Sequence, residues 1–354
     1  LYIVGTGISI VMTMVIAIVY YVRLAPVYPE TNRMRTLVVK SAKMTNDEST
    51  HSANISYAML KDWFYSLESA EVSTGVSGTS YARVTNDKEE IPTYARYTDE
   101  NFFRVFPLVF LEGKPFTEAD RRSGIHNVVL TDSYAQQLFG TTKGVVGKNF
   151  LMDYTNVKVV GVVKSGSFLT PDSYAQVYLP YSCRDGYDDE GSHWALGGYR
   201  VYILMKESKS VTDVQDEVLE LIRKFNVSDM GDGWKLDLVG QPELYWHSTF
   251  RLWSNVAVDW GRVIWMFVGI FMVLLFVPAF NLSGMISARM ERQLPDLGIR
   301  KAFGASRRRL LVQIIWENLL LTGLGTLLGL VIAWIVLALS GYEIFSLFEV
   351  FPKF

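Results

Sequence analysis

Four histidines (His51, His126, His193, His247) and one cysteine (Cys183) could offer metal or nucleophilic chemistry, and they stand far apart in the chain. There is no H-E-x-x-H pair and no Cys/His cluster, so zinc chemistry has no ligand set. No G-x-S-x-G nucleophile turn occurs either. Thr142–Asn149, TKGVVGKN, has the flavour of a phosphate loop but lacks its first glycine and the Ser/Thr that would hold magnesium. The sequence therefore carries no visible engine for chemistry, and any work must be powered by a partner. Two further residues, Glu317 and Asn318, lie about two turns into an apolar run, where a polar or ionisable group is a functional candidate by default. Glu317 is near the end of that run, within reach of interfacial water or of an arginine from the preceding loop.

That preceding loop is the densest charge feature. Arg289–Arg309 reads RMERQLPDLGIRKAFGASRRR, with seven basic residues (Arg289, Arg292, Arg300, Lys301, Arg307, Arg308, Arg309) against Glu291 and Asp296. A short loop this basic between two apolar runs stays cytoplasmic. The apolar runs are Leu1–Leu24, Trp260–Leu282 and Leu310–Leu339. Each covers the roughly 30 Å hydrocarbon layer at about 1.5 Å per helical residue. The first exceeds a signal-peptide core and has no A-x-A-like site, so it is read as a span. It begins without Met and inside the run, so residues upstream are expected. Tyr20, Tyr21, Trp253, Trp260 and Tyr342 flank the runs as interfacial aromatics. Pro278 predicts a kink, and Gly325 with Gly329 forms a GxxxG spacing suited to close helix approach.

The topology puts residues 25–259 outside the cytoplasm. Thr36–Ala42, Ser56–Leu67 and Glu71–Val76 read as strand, helix and strand. Tyr199–Met205, Val211–Phe225 and Lys235–Val239 repeat that order. In the second helix Val211, Val214, Val218, Leu221, Ile222 and Phe225 share a face, and Ser210 with Asp213 forms a capping box. Between the two β-α-β units lie short apolar runs, Asn127–Thr131, Lys158–Val163 and Gln176–Leu179, broken by Gly, Asp and Asn, which predict a β-rich insert. The fold class expected is membrane α-helical spans plus a large α+β extracytoplasmic domain. The acidic tip Asp185–Gly191 (DGYDDEG) reads as a solvated loop, and nothing suggests nucleic acid binding.

Two segments carry a family resemblance. GIRKAFGASRRRLLVQIIWENLL (Gly298–Leu320) closely resembles the signature of the FtsX/MacB family of ABC-transporter permeases. LEGKPFTEADRRSGIHNVVLTDSYAQQLFG (Leu111–Gly140), followed by GVVGKNF and by VKVVGVV (Val157–Val163), resembles that family's periplasmic core domain. The resemblance implies a four-span inner-membrane permease, a homodimer or heterodimer, driven by a separate cytoplasmic ABC ATPase. ATP and magnesium would sit on that ATPase, with no cofactor in this chain. It implies a membrane-proximal porter-like part (30–84 and 199–245) and an inserted β-rich sabre-like part (85–198). It also implies spans over 1–24, 260–282 and 310–339, a cytoplasmic loop over 283–309, and an outer loop over 340–354 with the fourth span beyond it.

In such permeases a short helix in the basic loop docks into the ATPase. Here it would lie around Gln293–Phe303, with Asp296, Leu297, Gly298, Ile299, Arg300, Lys301 and Phe303 as coupling residues. Relatives use the ATP-driven stroke to export periplasmic substrates, to release lipoproteins or to switch a cell-wall hydrolase. A periplasmic adaptor, an outer-membrane channel or a hydrolase is the corresponding partner. The family pattern R-E-I-G is replaced by Pro295-Asp296-Leu297-Gly298, and a proline at a first helical position is preorganised to start the coupling helix. Gly304 suits its stop and Ser306 the cap of the next helix. Arg307–Arg309 suit anionic lipid headgroups.

Overall fold

The computed structural model describes residues 24–339 apart from 78–79, 87–88, 168–169, 189–193, 229–232 and 305, with scattered positions before residue 24; some side chains of the hairpin 86–89 and of the two long helices lie outside that description. Most of the expected first span, the loop 340–354, His193 and part of the tip Asp185–Gly191 therefore fall outside the described residues. The chain forms two compact units, Val22–Asp259 and Leu1–Tyr21 with Trp260–Phe354.

In the first of these, strands β1 (Thr36–Val39), β2 (Ala42–Thr45), β3 (Thr50–Ile55) and β4 (Ala70–Ser77) come first. Next follow β5 (Ser80–Asn86), β6 (Glu89–Thr98), β7 (Phe110–Gly113), β8 (Asn127–Thr131), β9 (Asn149–Met152), β10 (Thr155–Val163) and β11 (Val177–Pro180). The chain then returns through β12 (Leu196–Gly197), β13 (Tyr199–Met205), β14 (Lys235–Asp237) and β15 (Glu243–Leu244). One sheet gathers β1–β4 and β12–β15, the other β5–β11. The second is an insertion in the first.

Strand β13 is the spine of the first sheet. It runs antiparallel to β1 along one edge (Thr36↔Leu204 to Val39↔Val201) and to β4 along the other (Tyr199↔Ser77 to Met205↔Ala70). Its residues alternate between two cores, as a period of two requires. Val201, Ile203 and Met205 join Leu37 and Val39 in one cluster, while Tyr202 and Leu204 join Val38 in the other. Helix Val211–Val227 covers the first face with Val214, Val218, Ile222 and Phe225 buried. Its Ser210–Asp213 capping box is formed in both directions.

The second sheet closes on itself. Its order is β7-β10-β8-β11-β6-β5-β9, and β9 pairs again with β10. Closure through β9 and β10 leaves only the short β7 with a single partner, which limits the hazard of an exposed sheet edge. Val128, Leu130, Val157, Val159, Val177 and Leu179 fill its interior. Gly161 in β10 is needed because a Cβ there would stand 2.7 Å from the Lys114 carbonyl oxygen and 2.8 Å from the Phe110 ring.

Several expectations shift. Ser56–Leu67 is not one helix: Tyr57–Asp62 is α-helical and Phe64–Ser66 is a 3-10 turn. The Ser66 hydroxyl donates back to the carbonyls of Asp62 and Trp63, a local bond that competes with helix continuation. The change of sheet comes at 77/80 rather than 84/85, since β5 starts three residues after β4 ends. Such a tight crossing leaves no linker composition to read. At the other boundary Leu196–Gly197 already pairs with β3 of the first sheet.

The second unit contains helices Trp260–Ala302 and Arg307–Leu339. The expected separate coupling helix beginning at Pro295 is corrected: the first helix runs on through Pro278 and Pro295. An interior proline forfeits one backbone bond, but the strong helix formers from Ala288 to Leu294 carry the helix across. Among the described residues no helix is long and apolar enough to cross a membrane.

Candidate functional site

The last turns of the first long helix carry the predicted coupling residues Asp296 to Lys301, and the turn that follows begins with Phe303. Phe303 N–H donates to the Ile299 carbonyl (3.1 Å) and Gly304 N–H to that of Lys301 (3.1 Å). Gly304 has φ 88°, the left-handed conformation that glycine adopts at no steric cost. Ser306 then opens the next helix: its carbonyl accepts from the N–H groups of Arg309 (3.0 Å) and Leu310 (3.2 Å). Its Oγ also accepts from Arg309 N–H (3.4 Å).

The turn presents apolar surface. Phe303 is 87% and Ile299 57% exposed, and Gly298, Arg300 and Lys301 are exposed with them. The side chains of Asp296, Leu297 and Asn318 lie outside the described residues. Arg300 donates to Gln313 Oε1 (2.9 Å), and Gln313 Nε2 donates to Glu317 Oε1 (3.1 Å). Glu317 thus connects to an arginine of the loop through Gln313, a link that sequence reasoning missed although the i,i+4 spacing of 313 and 317 could signal it. Farther along the same helix Gly325 and Gly329 are buried while Gly323 is exposed, as a close-packing face requires.

Within the unit Val22–Asp259, two arginines anchor the ends of the folded domain. Arg33 donates to Glu30 Oε2 through Nε (2.8 Å) and a terminal nitrogen (2.5 Å), and to the Ala25 carbonyl (2.7 Å). Both side chains are sealed from solvent. Glu30 also accepts from Ser173 N–H (3.1 Å) and Oγ (2.7 Å) on the insert. Burial pushes the Glu30 carboxyl above its ordinary range against the pull of Arg33. Beside it, burial raises Asp172 too, but Lys40, Arg200 and Arg96 outweigh it and hold that carboxyl well below the usual range. Lys40 and Arg200 approach Asp172 at 3.6 and 3.5 Å. The segment entering the domain, the first sheet and the insert's loop at 170–174 are thereby tied at one buried point.

Arg251 plays the equivalent part where the chain leaves. It pairs with Glu243 and donates to the carbonyls of Val256 (2.6 Å) and Val239 (2.9 Å). Ser41 Oγ donates to the Ser254 carbonyl (2.6 Å). The charged partners lie close in sequence, Glu30 three residues from Arg33 and Glu243 eight from Arg251, but nothing in those spacings announces that both pairs are buried, which depends on distant contacts such as Ser173 to Glu30.

The segment Thr142–Asn149 makes no anion cradle. Val145 is fully buried, its N–H donates to Glu112 Oε2 (3.2 Å), and Gly147 N–H donates to the Val159 carbonyl (2.8 Å). Lys148 Nζ lies 5.0 Å from the Phe139 ring centroid. Among the described residues no three His, Cys, Asp or Glu side chains are grouped to hold a metal.

Comparison with known proteins gives two family matches. The model of the MacB-like periplasmic core domain matches residues 2–221, and that of the FtsX-like permease C-terminal region matches residues 255–353. Among curated relatives, the macrolide export ATP-binding/permease protein MacB of Escherichia coli O157:H7 is 22% identical over 268 residues, 74% of this chain and 39% of the relative. The pyoverdine export ATP-binding/permease protein PvdT of Pseudomonas entomophila (strain L48) is 25% identical over 237 residues, 65% and 34% of the two chains. The chain thus spans well under half the length of these relatives. Among solved structures, the periplasmic region of MacB from Actinobacillus actinomycetemcomitans aligns with TM-score 0.40 and 16% identity, covering 56% of this chain and 88% of that one. A family match over more than half the chain, followed by the second match in the order that the motifs predict, leads to one conclusion: the protein belongs to the FtsX/MacB-like permeases of ABC transporters.

Proposed function

We propose that this chain is the permease subunit of a MacB-like ABC transporter in the bacterial cytoplasmic membrane, with Val22–Asp259 in the periplasm. It acts as a mechanotransmitter: a separate ABC ATPase docks at the turn around Leu297–Phe303, and its cycle moves the periplasmic domain to export a periplasmic substrate. The observation that carries this reading is the uninterrupted helix Trp260–Ala302 that ends at the exposed Ile299 and Phe303. Its 43 residues span about 65 Å at 1.5 Å per residue. That is about twice the hydrocarbon thickness; the apolar stretch Trp260–Leu282 is the part proposed to lie in the bilayer, with the rest of the helix projecting beyond it. A continuous helix of that kind connects displacement at one end to the other. The export-protein names of MacB and PvdT support export over hydrolase control.

The test is to replace Leu297 and Phe303 with Glu in the tagged full chain. We expect the membrane level to be retained while ATPase co-purification and transport-linked ATP turnover are lost. Unchanged ATPase binding and turnover would sink the docking assignment.

A further inference from the structure

The last turn of the folded domain, residues 248–256, puts large apolar side chains in solvent. Leu252 is 64%, Trp253 48% and Val256 47% exposed. Exposed apolar groups on a mobile tail would signify little, but this turn is fixed. The Arg251 guanidinium is itself buried, with the side chain 3% exposed, and it holds Glu243 and the carbonyls of Val239 and Val256. Ser41 and Gln241 side chains both donate to the Ser254 carbonyl. Val256 N–H closes the turn on the Trp253 carbonyl at 3.2 Å. The chain thus invests a buried ion pair in holding apolar side chains outward.

We infer that Leu252, Trp253 and Val256 form a preorganised membrane-surface contact that seats the periplasmic domain in the headgroup layer. The inference rests on the reading that the helix from Trp260 enters the bilayer. Chain geometry commits the occupant. Val256 is four residues from Trp260 and can lie at most about 14 Å from it, and Leu252 at most about 28 Å. Two aliphatic side chains and an indole at that tether length match the side chains that partition to the interface. Seating the domain there would turn helix displacement into domain displacement, because the turn that touches the lipid is the one Arg251 ties to β15 and to the loop after β14.

The experiment uses the full chain carrying Cys183→Ser, reconstituted in lipid bilayers, with one spin label introduced at a time. Leu252→Cys reports the proposed contact, Ile264→Cys the helix, and Leu219→Cys the exposed face of the domain helix; Val256→Cys replaces Leu252→Cys should that variant fail to fold. The reading is relaxation by oxygen, which concentrates in lipid, against relaxation by a water-soluble nickel chelate. The expected result is oxygen-dominated relaxation at residues 252 and 264 and nickel-dominated relaxation at 219. Nickel-dominated relaxation at 252 with oxygen-dominated relaxation at 264 would overturn the contact while leaving the span in place. Shielding of 252 from both agents would assign the patch to a protein neighbour and also overturn it. Nickel-dominated relaxation at 264 would remove the span reading and the contact with it.

Discussion

Replacing Arg33 with Met should be among the most damaging single changes in the periplasmic domain. Arg33 makes two hydrogen bonds to Glu30 and one to the Ala25 carbonyl, and its guanidinium lies 5.3 Å from the Tyr245 ring centroid. Neither charged side chain reaches solvent, at 2% and 0% exposure. The substitution leaves Glu30 buried with only the two Ser173 donors. Removing one member of such a pair costs about 3–5 kcal/mol. For a domain of this size each kcal/mol lowers Tm by about 2–4 °C, so the loss should be about 6–20 °C. The pH dependence follows from the raised Glu30 pKa. A carboxyl raised in the folded state contributes stability that is complete below its unfolded pKa and is lost as pH rises through the folded one. Without Arg33 the folded pKa climbs further, so the damage should be smallest in acid and grow toward neutral pH. Glu30→Gln in the Arg33→Met background removes the stranded charge and should recover part of the loss. The assay is thermal unfolding of the purified full-length variants at several pH values. A Tm within about 2 °C of the parent, or a deficit that does not change with pH, would show that Arg33 does not hold a buried Glu30 charge.

Three further outcomes are expected. Asp99, fully buried, has its carboxyl raised to about 6 by burial, against hydrogen bonds from Thr74, Tyr65 and Gly75. Its stabilising contribution is complete below about pH 4 and fades as pH rises through about 6, about 1 kcal/mol between pH 5 and 7.5; urea titrations at those two pH values should show it, and Asp99→Asn should remove that dependence. Gly161→Ala drives a methyl into a backbone carbonyl 2.7 Å away and should cost about 1–3 kcal/mol, like other overpacked sites, whereas Gly124→Ala meets no atom within 4 Å and suffers only from its positive φ. Ser210→Ala, which deletes a formed capping box, should cost about 1 kcal/mol in thermal unfolding.

Periodicity made part of this fold legible. Tyr199–Met205 and Asn127–Thr131 are short segments dominated by aliphatic and aromatic residues, and their observed bounds coincide with those read from the sequence. The helix from Val211 declared both its buried face and its cap. The hairpin of β2 and β3 was not legible, since THSANI is polar and half of it is exposed. The hairpin of β5 and β6 was obscured by Pro92, which argues against a strand yet sits opposite Arg83 in the ladder. Closure of the second sheet rests on β9 pairing with both β5 and β10, a property of distant register rather than of any segment. At the candidate site, Gly304 and Ser306 were readable as stop and cap because each role needs a particular residue type. The continuity of the helix through Pro295 was not, because a proline can equally begin a helix or interrupt one.

The segment Ile299–Phe303, at the end of the first long helix, is proposed to receive an ATPase. The most direct measurement is a photo-crosslinking amino acid in place of Phe303, activated in native membranes and followed by mass spectrometry of the adducts. A dominant adduct with an ABC ATPase is expected, diminished when Leu297 is also replaced with Glu. Adducts with lipid alone, or with proteins that carry no ATPase domain, would contradict it.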